Sequence, residues 1–282
     1  MSHLGNRFWV DRRLVYPAQA EVSVLDHGLT VGDGVFETIL VRDGVPFALT
    51  RHLARLERSL AGLGFAGPGE DRVREAVAAV VQDAGDSAAF ARLRITVTSG
   101  IGPLGSDRGR VDPTLVVTCV PATPWPATSS LATVPWVRNE RSAVAGLKTT
   151  SYAENAVALA EAHRRGASEA VFADTQGRLC EGTGSNVFVV VDGELLTPHL
   201  RCGALAGITR ELVLEWAPAV VPVRETDLPY DVLMSADEVF ITSSTRDVHP
   251  VDRIDDRTLA VGPVTSDVAA EFARRAALDA DP

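Results

Sequence analysis

At 282 residues the chain has room for one large domain or two modest ones with a substantial core. Hydrophobic residues make up 46% and charged residues 23%, which excludes a disordered or fibrous protein and fits an ordinary globular one. A net charge of −10 argues against nucleic acid or an anionic membrane as the main partner.

The opening stretch MSHLGNRFWVDRR has no apolar signal core, and no apolar run approaches a membrane span. Short strands are expected at 7–10 and 20–24. Residues 35–42 and 45–49 flank Asp43-Gly44, a hairpin signal because both turn residues tolerate positive φ. Thr50 is the expected cap of a helix carrying Leu53, Leu56, Leu60 and Leu63 at helical spacing; a second helix covers 71–83. Residues 90–98 and 114–120 read as strands around a glycine-rich loop. PATPWPATSS, residues 121–130, suits an extended linker. Beyond it, strands are expected at 131–134, 169–173, 186–191, 194–197, 220–223, 238–242 and 248–254. Helices are expected at 154–165, before Trp216, and at 265–278. The implied organisation is α+β: a small domain over 1–120, a linker over 121–130, and a larger, largely antiparallel, barrel-like domain over 131–282.

Three cysteines, Cys119, Cys180 and Cys202, are scattered with no CxxC pair, as expected of buried thiols in a reducing cytoplasm. The six histidines have no metal-ligand spacing. Two residues draw the eye. Lys148 lies in GLKTTSY just before a helix, and Glu181 lies in EGTGSNVF after a turn. That pairing can bring an amine and a carboxylate to opposite ends of a flat aromatic cofactor. Arg55 lies in HLARLERS, on the first expected helix. LAGITRELV places Gly207 before a helix whose first amides belong to Ile208 and Thr209, and such free amides attract anions. ITSSTRDVHPV adds the hydroxyls of Ser244 and Thr245.

In this order the motifs resemble those of the class IV, or fold type IV, pyridoxal-phosphate enzymes: the branched-chain and D-amino acid aminotransferases and aminodeoxychorismate lyase. The resemblance runs from DHGLTVGDGVFE to ITSSTRDVHPV, nearly the whole chain. It implies pyridoxal 5'-phosphate as cofactor and Lys148 as the Schiff-base lysine that later carries a proton. Glu181 would face the pyridine nitrogen and keep it protonated, so that the ring can accept electrons. Arg55, the Ile208 and Thr209 amides, Ser244 and Thr245 would hold the phosphate.

On the substrate side, Arg141 resembles by position an arginine that reaches the cofactor's O3′ side in D-amino acid aminotransferases. Arg92 and Arg94 share one strand face, and Arg94 is placed to hold a carboxylate by paired hydrogen bonds. Phe36 would wall the pocket. Val31 stands where branched-chain enzymes carry a tyrosine, and Thr38 matches the lyase-type threonine. The loop GPLGSDRG has Leu104 and Ser106 where typical D-amino acid enzymes carry an arginine and a histidine. The resemblance thus implies a transaminase moving an amino group between an amino acid and a 2-keto acid, D-amino acids favoured and (R)-amines accepted. The alternative is 4-amino-4-deoxychorismate lyase, giving 4-aminobenzoate and pyruvate. It further implies a homodimer, while the thiols point to the cytoplasm.

Overall fold

In the computed structural model, which describes residues 7–282, Asp43 and Gly44 take φ of 48° and 77° and turn the chain as their sequence predicts. They join β3 (Gly34–Arg42) to β4 (Val45–Pro46). With β1 (Phe8–Val10), β2 (Arg13–Val15), β5 (Phe90–Thr98) and β6 (Thr114–Pro121) these form an antiparallel six-stranded sheet in the order β2-β1-β6-β5-β3-β4. The strand expected at 20–24 does not form; Val22 and Val24 are exposed, and among the described residues no neighbouring strand covers them. A one-turn helix α1 (His27–Thr30) follows, capped by the Asp26 side chain.

Alternate residues of the central strands point to one face. Val35, Ile39, Val41, Leu93, Ile95, Val97, Leu115 and Val117 pack there against α2 (Leu49–Leu63) and α3 (Glu70–Ala84). From α2 come Leu53, Leu56 and Leu60, and from α3 Val73, Val77 and Val80, the helical spacing read from the sequence. Thr50 is not the cap of α2 but lies within its first turn. Its amide and hydroxyl both donate to the Asp281 carboxylate, at 2.8 and 2.6 Å.

Chain connectivity is less simple than two consecutive domains. One compact unit runs up to Pro124 and also takes in Leu147–Tyr152 and Ala280–Pro282; the other comprises Trp125–Gly146 and Ala153–Asp279. The connection is shorter than the expected 121–130, because β6 continues to Pro121 and β7 (Ser129–Arg138) already begins at Ser129. Lys148, expected in the second domain, belongs to the first unit: its carbonyl accepts from Phe36 N (3.0 Å), and Thr150 N donates to Gly34 O (2.8 Å). The peptide is one more rung on the end of β3.

The second unit holds a nine-stranded sheet. Its remaining strands are β8 (Glu169–Asp174), β9 (Leu179–Gly182), β10 (Asn186–Val191), β11 (Glu194–Pro198), β12 (Val223–Thr226), β13 (Glu238–Ser243), β14 (Asp247–Ile254) and β15 (Arg257–Thr258). The order is β12-β11-β10-β13-β14-β7-β8-β9, with β15 on β14. It is more mixed than expected: β11–β12, β14–β7 and β7–β8 are parallel. Each of those joins is made by a long excursion rather than a hairpin, and pairing across such a distance leaves no local sequence signal. Helices α4 (Ala153–Arg164), α5 (Ile208–Trp216) and α6 (Pro263–Ala276) complete the unit. No helix among the described residues is long and apolar enough to cross a membrane.

Candidate active site

In the first unit, two threads converge on Lys148. Its peptide is stitched down by a serine of α2 and by hydroxyls the KTTSY motif supplies. Ser59 Oγ accepts from Lys148 N at 3.2 Å, while Thr150 and Ser151 hydroxyls both donate to Gly32 O, at 2.9 and 3.0 Å. Leu147 fills the space left by Gly62, where an added Cβ would meet its Cδ2 at 2.6 Å. The amine lies 4.5 Å from the centroid of the Phe36 ring and 6.0 Å from that of Tyr152, and the two rings meet edge to face at 5.1 Å.

Phe36 and Thr38 share the β3 face opposite the core, and Thr38 stands directly across from Arg94 on β5. The Arg94 guanidinium lies 3.8 Å over the Phe36 ring and its Nε donates to Thr96 Oγ1 at 3.2 Å. Burial pulls it below its ordinary pKa. The structure therefore groups Lys148, Phe36, Thr38 and Arg94. Val31, just beyond α1, is half exposed.

Behind β3, on its core face, sits an unpredicted acid. Glu37 is fully buried and accepts from Arg55 Nε (2.8 Å) and Nη2 (2.6 Å) and from His52 Nδ1 (2.6 Å). Burial would raise its pKa, but the charge and hydrogen bonds of Arg55, with those of His52, outweigh it and hold the carboxyl at about 2. Burial lowers His52, so the imidazole is neutral and donates from Nδ1. An acid in an otherwise apolar row of β3, followed by the H-x-x-R spacing on α2, is the signal that reveals this cluster.

In the second unit, Glu181 lies after the expected turn and within a short strand of its own, β9. It accepts from Arg138 Nε at 3.2 Å and from the Leu205 amide at 2.9 Å. Arg138, at the end of β7, also donates to Glu154 (2.6 Å) and Asn155 (3.0 Å) and stacks 4.3 Å over Phe172. Burial lowers the Arg138 pKa, but Glu181 and Glu154 outweigh it and raise it. Arg141 takes no such place: its side chain is 82% exposed and its nearest carboxylate is Glu140, at 3.9 Å. The arginine that reaches Glu181 stands three residues earlier, because β7 extends four residues beyond the strand the sequence suggests and carries Arg138 along the sheet.

The turn after Glu181 is held from both sides. Asn155 donates to Thr183 O at 2.6 Å, and Glu169 accepts from Gly184 N (2.8 Å) and Ser185 Oγ (2.7 Å). Glu169 is paired with Arg246, whose guanidinium lies 3.9 Å from the centroid of the Trp125 ring. Asn186, at the end of the turn, donates to Leu205 O at 2.9 Å. Its carboxamide oxygen occupies the place where a Cβ on Gly207 would lie, 1.9 Å away. Gly207 precedes α5, and no side chain caps that helix locally; Ile208 and Thr209, at its head, are buried. Across the sheet from Asn186, Thr242 Oγ1 is buried without a hydrogen-bond partner among the described residues. Ser244 and Thr245 form the half-buried turn between β13 and β14.

The two sheets have the topology of the pyridoxal-phosphate enzymes of fold type IV. The chain belongs to the class IV amino-transferase family, whose sequence profile matches residues 34–254. It is 33% identical over 277 residues to a putative branched-chain-amino-acid aminotransferase of Methanocaldococcus jannaschii, covering 94% of this chain and 95% of that protein. It is 29% identical over 257 residues to aminodeoxychorismate lyase of Bacillus subtilis, covering 88% and 86%. Among solved structures, the branched-chain aminotransferase of Thermoproteus uzoniensis with norvaline superposes with a TM-score of 0.90 at 30% identity, over 95% of this chain and 94% of that one. Members of this family work with pyridoxal 5'-phosphate.

Proposed function

We propose that the chain transfers amino groups between aliphatic, branched-chain amino acids and 2-keto acids. The observation that carries this reading is the face formed by Phe36, Thr38 and Arg94 beside the Lys148 amine: an apolar ring for a hydrocarbon side chain and a guanidinium for a carboxylate. The names of the relatives agree with it. The preference for D-amino acids rests on Arg141, and an arginine turned to solvent gives it no support.

The residues fit the cofactor. The uncapped amides at Ile208 and Thr209 and the orphaned Thr242 hydroxyl are donors suited to a phosphate. Ser244, Thr245 and Arg55 are further phosphate ligands in this reading, and Glu181 is the carboxylate for the ring nitrogen. When bound, pyridoxal phosphate withdraws electrons from the substrate α-carbon. Lys148 would anchor the cofactor and, once the substrate amine has displaced it, its freed amine would carry the proton from that carbon to the cofactor's C4′. Arg138 keeps Glu181 oriented. Arg94 grips the carboxylate, and Phe36 and Tyr152 keep water from the amine.

A second reading, aminodeoxychorismate lyase, draws on Thr38 standing opposite Arg94 and on the lyase relative. Purified enzyme should be offered L-leucine, D-alanine, (R)-1-phenylethylamine and aminodeoxychorismate, with 2-oxoglutarate present. Transfer from L-leucine, at a rate well above the other two amines, is the expected result. Pyruvate release from aminodeoxychorismate with no amine conversion would establish the lyase instead, and D-alanine as best donor would restore the D-amino acid reading.

We also propose a homodimer in the cytoplasm. Leu25, Leu29, Val31, Ile101 and Leu104 are exposed on α1 and neighbouring loops of the first unit, tied together by Gly102 N donating to Leu25 O, and make an apolar surface suited to a second copy. A monomer by sedimentation at micromolar concentration would refute it.

A further inference from the structure

Glu37 has no task in the chemistry above, yet it is an ionised acid with no exposed surface. A buried ion pair is weak evidence of added stability, because desolvating two charges offsets most of their attraction. What Glu37 supplies to Arg55 is geometry. Its two oxygens take the Nε and Nη2 edge of the guanidinium side on, which fixes both the plane and the direction of the group. His52 Nδ1 holds one of those oxygens, so the carboxylate itself cannot swing. Arg55 and Ser59 stand one turn apart on α2, and Ser59 receives the Lys148 amide. One face of α2 thus sets the Lys148 peptide and the guanidinium together.

We propose that Glu37 is a positioning residue that presets Arg55 for the 5'-phosphate of the cofactor, with His52 as its brace. This rests on the reading of Arg55 as a phosphate ligand. A long, flexible side chain normally loses freedom when it takes a ligand; one already locked loses little, and the difference appears as affinity. Glutamine at position 37 keeps the shape, but one end of its amide donates where the fork needs an acceptor.

The test compares pyridoxal phosphate with pyridoxal, which lacks the phosphate, by fluorescence titration of the full-length protein freed of cofactor. Arg55→Gln and Glu37→Gln should each weaken pyridoxal phosphate by about 10–100-fold, the loss expected when a hydrogen bond to a charged group is removed or misplaced. Pyridoxal should change by less than about twofold, and the double variant should be no weaker than Arg55→Gln. If Arg55→Gln leaves the ratio of the two affinities unchanged, Arg55 does not bind phosphate and the underlying reading fails. If Arg55→Gln lowers the ratio but Glu37→Gln does not, or weakens both ligands alike, the positioning role fails alone. Should Glu37→Gln not fold, Glu37→Asp keeps the charge and withdraws it by one methylene; it should show the same selective loss, and an unchanged ratio overturns the proposal.

Discussion

Replacing Gly207 with alanine tests how tightly the turn after Glu181 is locked to the head of α5. The backbone at Gly207, φ −71° and ψ 133°, suits alanine, so no strain arises there and the stiffer unfolded chain would contribute about 0.4–1 kcal/mol of stability. The obstacle is Asn186. Its Oδ1 lies 1.9 Å and its Cγ 3.1 Å from the new Cβ, both far inside contact. Asn186 must swing away, which breaks its 2.9 Å bond to Leu205 O in a buried setting. Leaving such groups unpaired costs about 1–3 kcal/mol. The net expectation is a loss of about 1–2 kcal/mol, or roughly 2–8 °C in Tm by calorimetry. Asn186→Ala alone should cost about 1–3 kcal/mol for the same unpaired carbonyl. The double variant should then be slightly more stable than Asn186→Ala, because the obstacle is gone and only the alanine gain remains. A Gly207→Ala protein as stable as the parent, or a double variant whose loss equals the sum of the singles, would refute the reasoning.

Lys148→Ala should abolish turnover while Tm moves by no more than about 2 °C, since the backbone bonds of residue 148 survive; full turnover in that variant would count against the scheme. Acid should weaken the first unit. Glu37 is held at about 2 against an ordinary 4.5, so its contribution is present above about pH 4.5 and lost as pH falls toward 2; His52, buried neutral and depressed below 6.5, loses stability in the same direction. Melting curves between pH 7 and 3 should therefore fall more steeply for the parent than for Glu37→Gln, and parallel curves would contradict this. Glu169→Ala strands the buried Arg246 guanidinium and should cost about 3–5 kcal/mol by urea unfolding, whereas Glu169→Ala with Arg246→Met should cost less than that single change.

What could be read in advance was local. The Asp43-Gly44 turn, the leucine spacing of α2 and the residues around Lys148 all act within a few positions of themselves, so their chemistry is written beside them. The residues that escaped notice act at a distance. Arg138 matters because it meets Glu181, 43 positions on, and Glu37 because it meets Arg55 across the space between strand and helix. Neither pairing leaves a periodic trace. The apparent strand at 20–24 failed for the opposite reason: its residues favour extended backbone, but no neighbour pairs with it. Parallel neighbours such as β7 and β8 were hidden because what joins them is a long excursion rather than a turn.

The discontinuity of the first unit carries a practical consequence for dissection. A fragment ending at Pro124 would contain every strand of its sheet, yet it would lack two guests that arrive much later in the chain. One is the rung that bears Lys148; the other is Asp281, which satisfies the opening amide of α2, while the Pro282 carbonyl receives Arg51 Nε at 2.7 Å. Such a half-molecule would carry a frayed helix head beneath Arg55 and an unpaired strand end where the reactive amine belongs. Its melting would report the worth of those few returning residues.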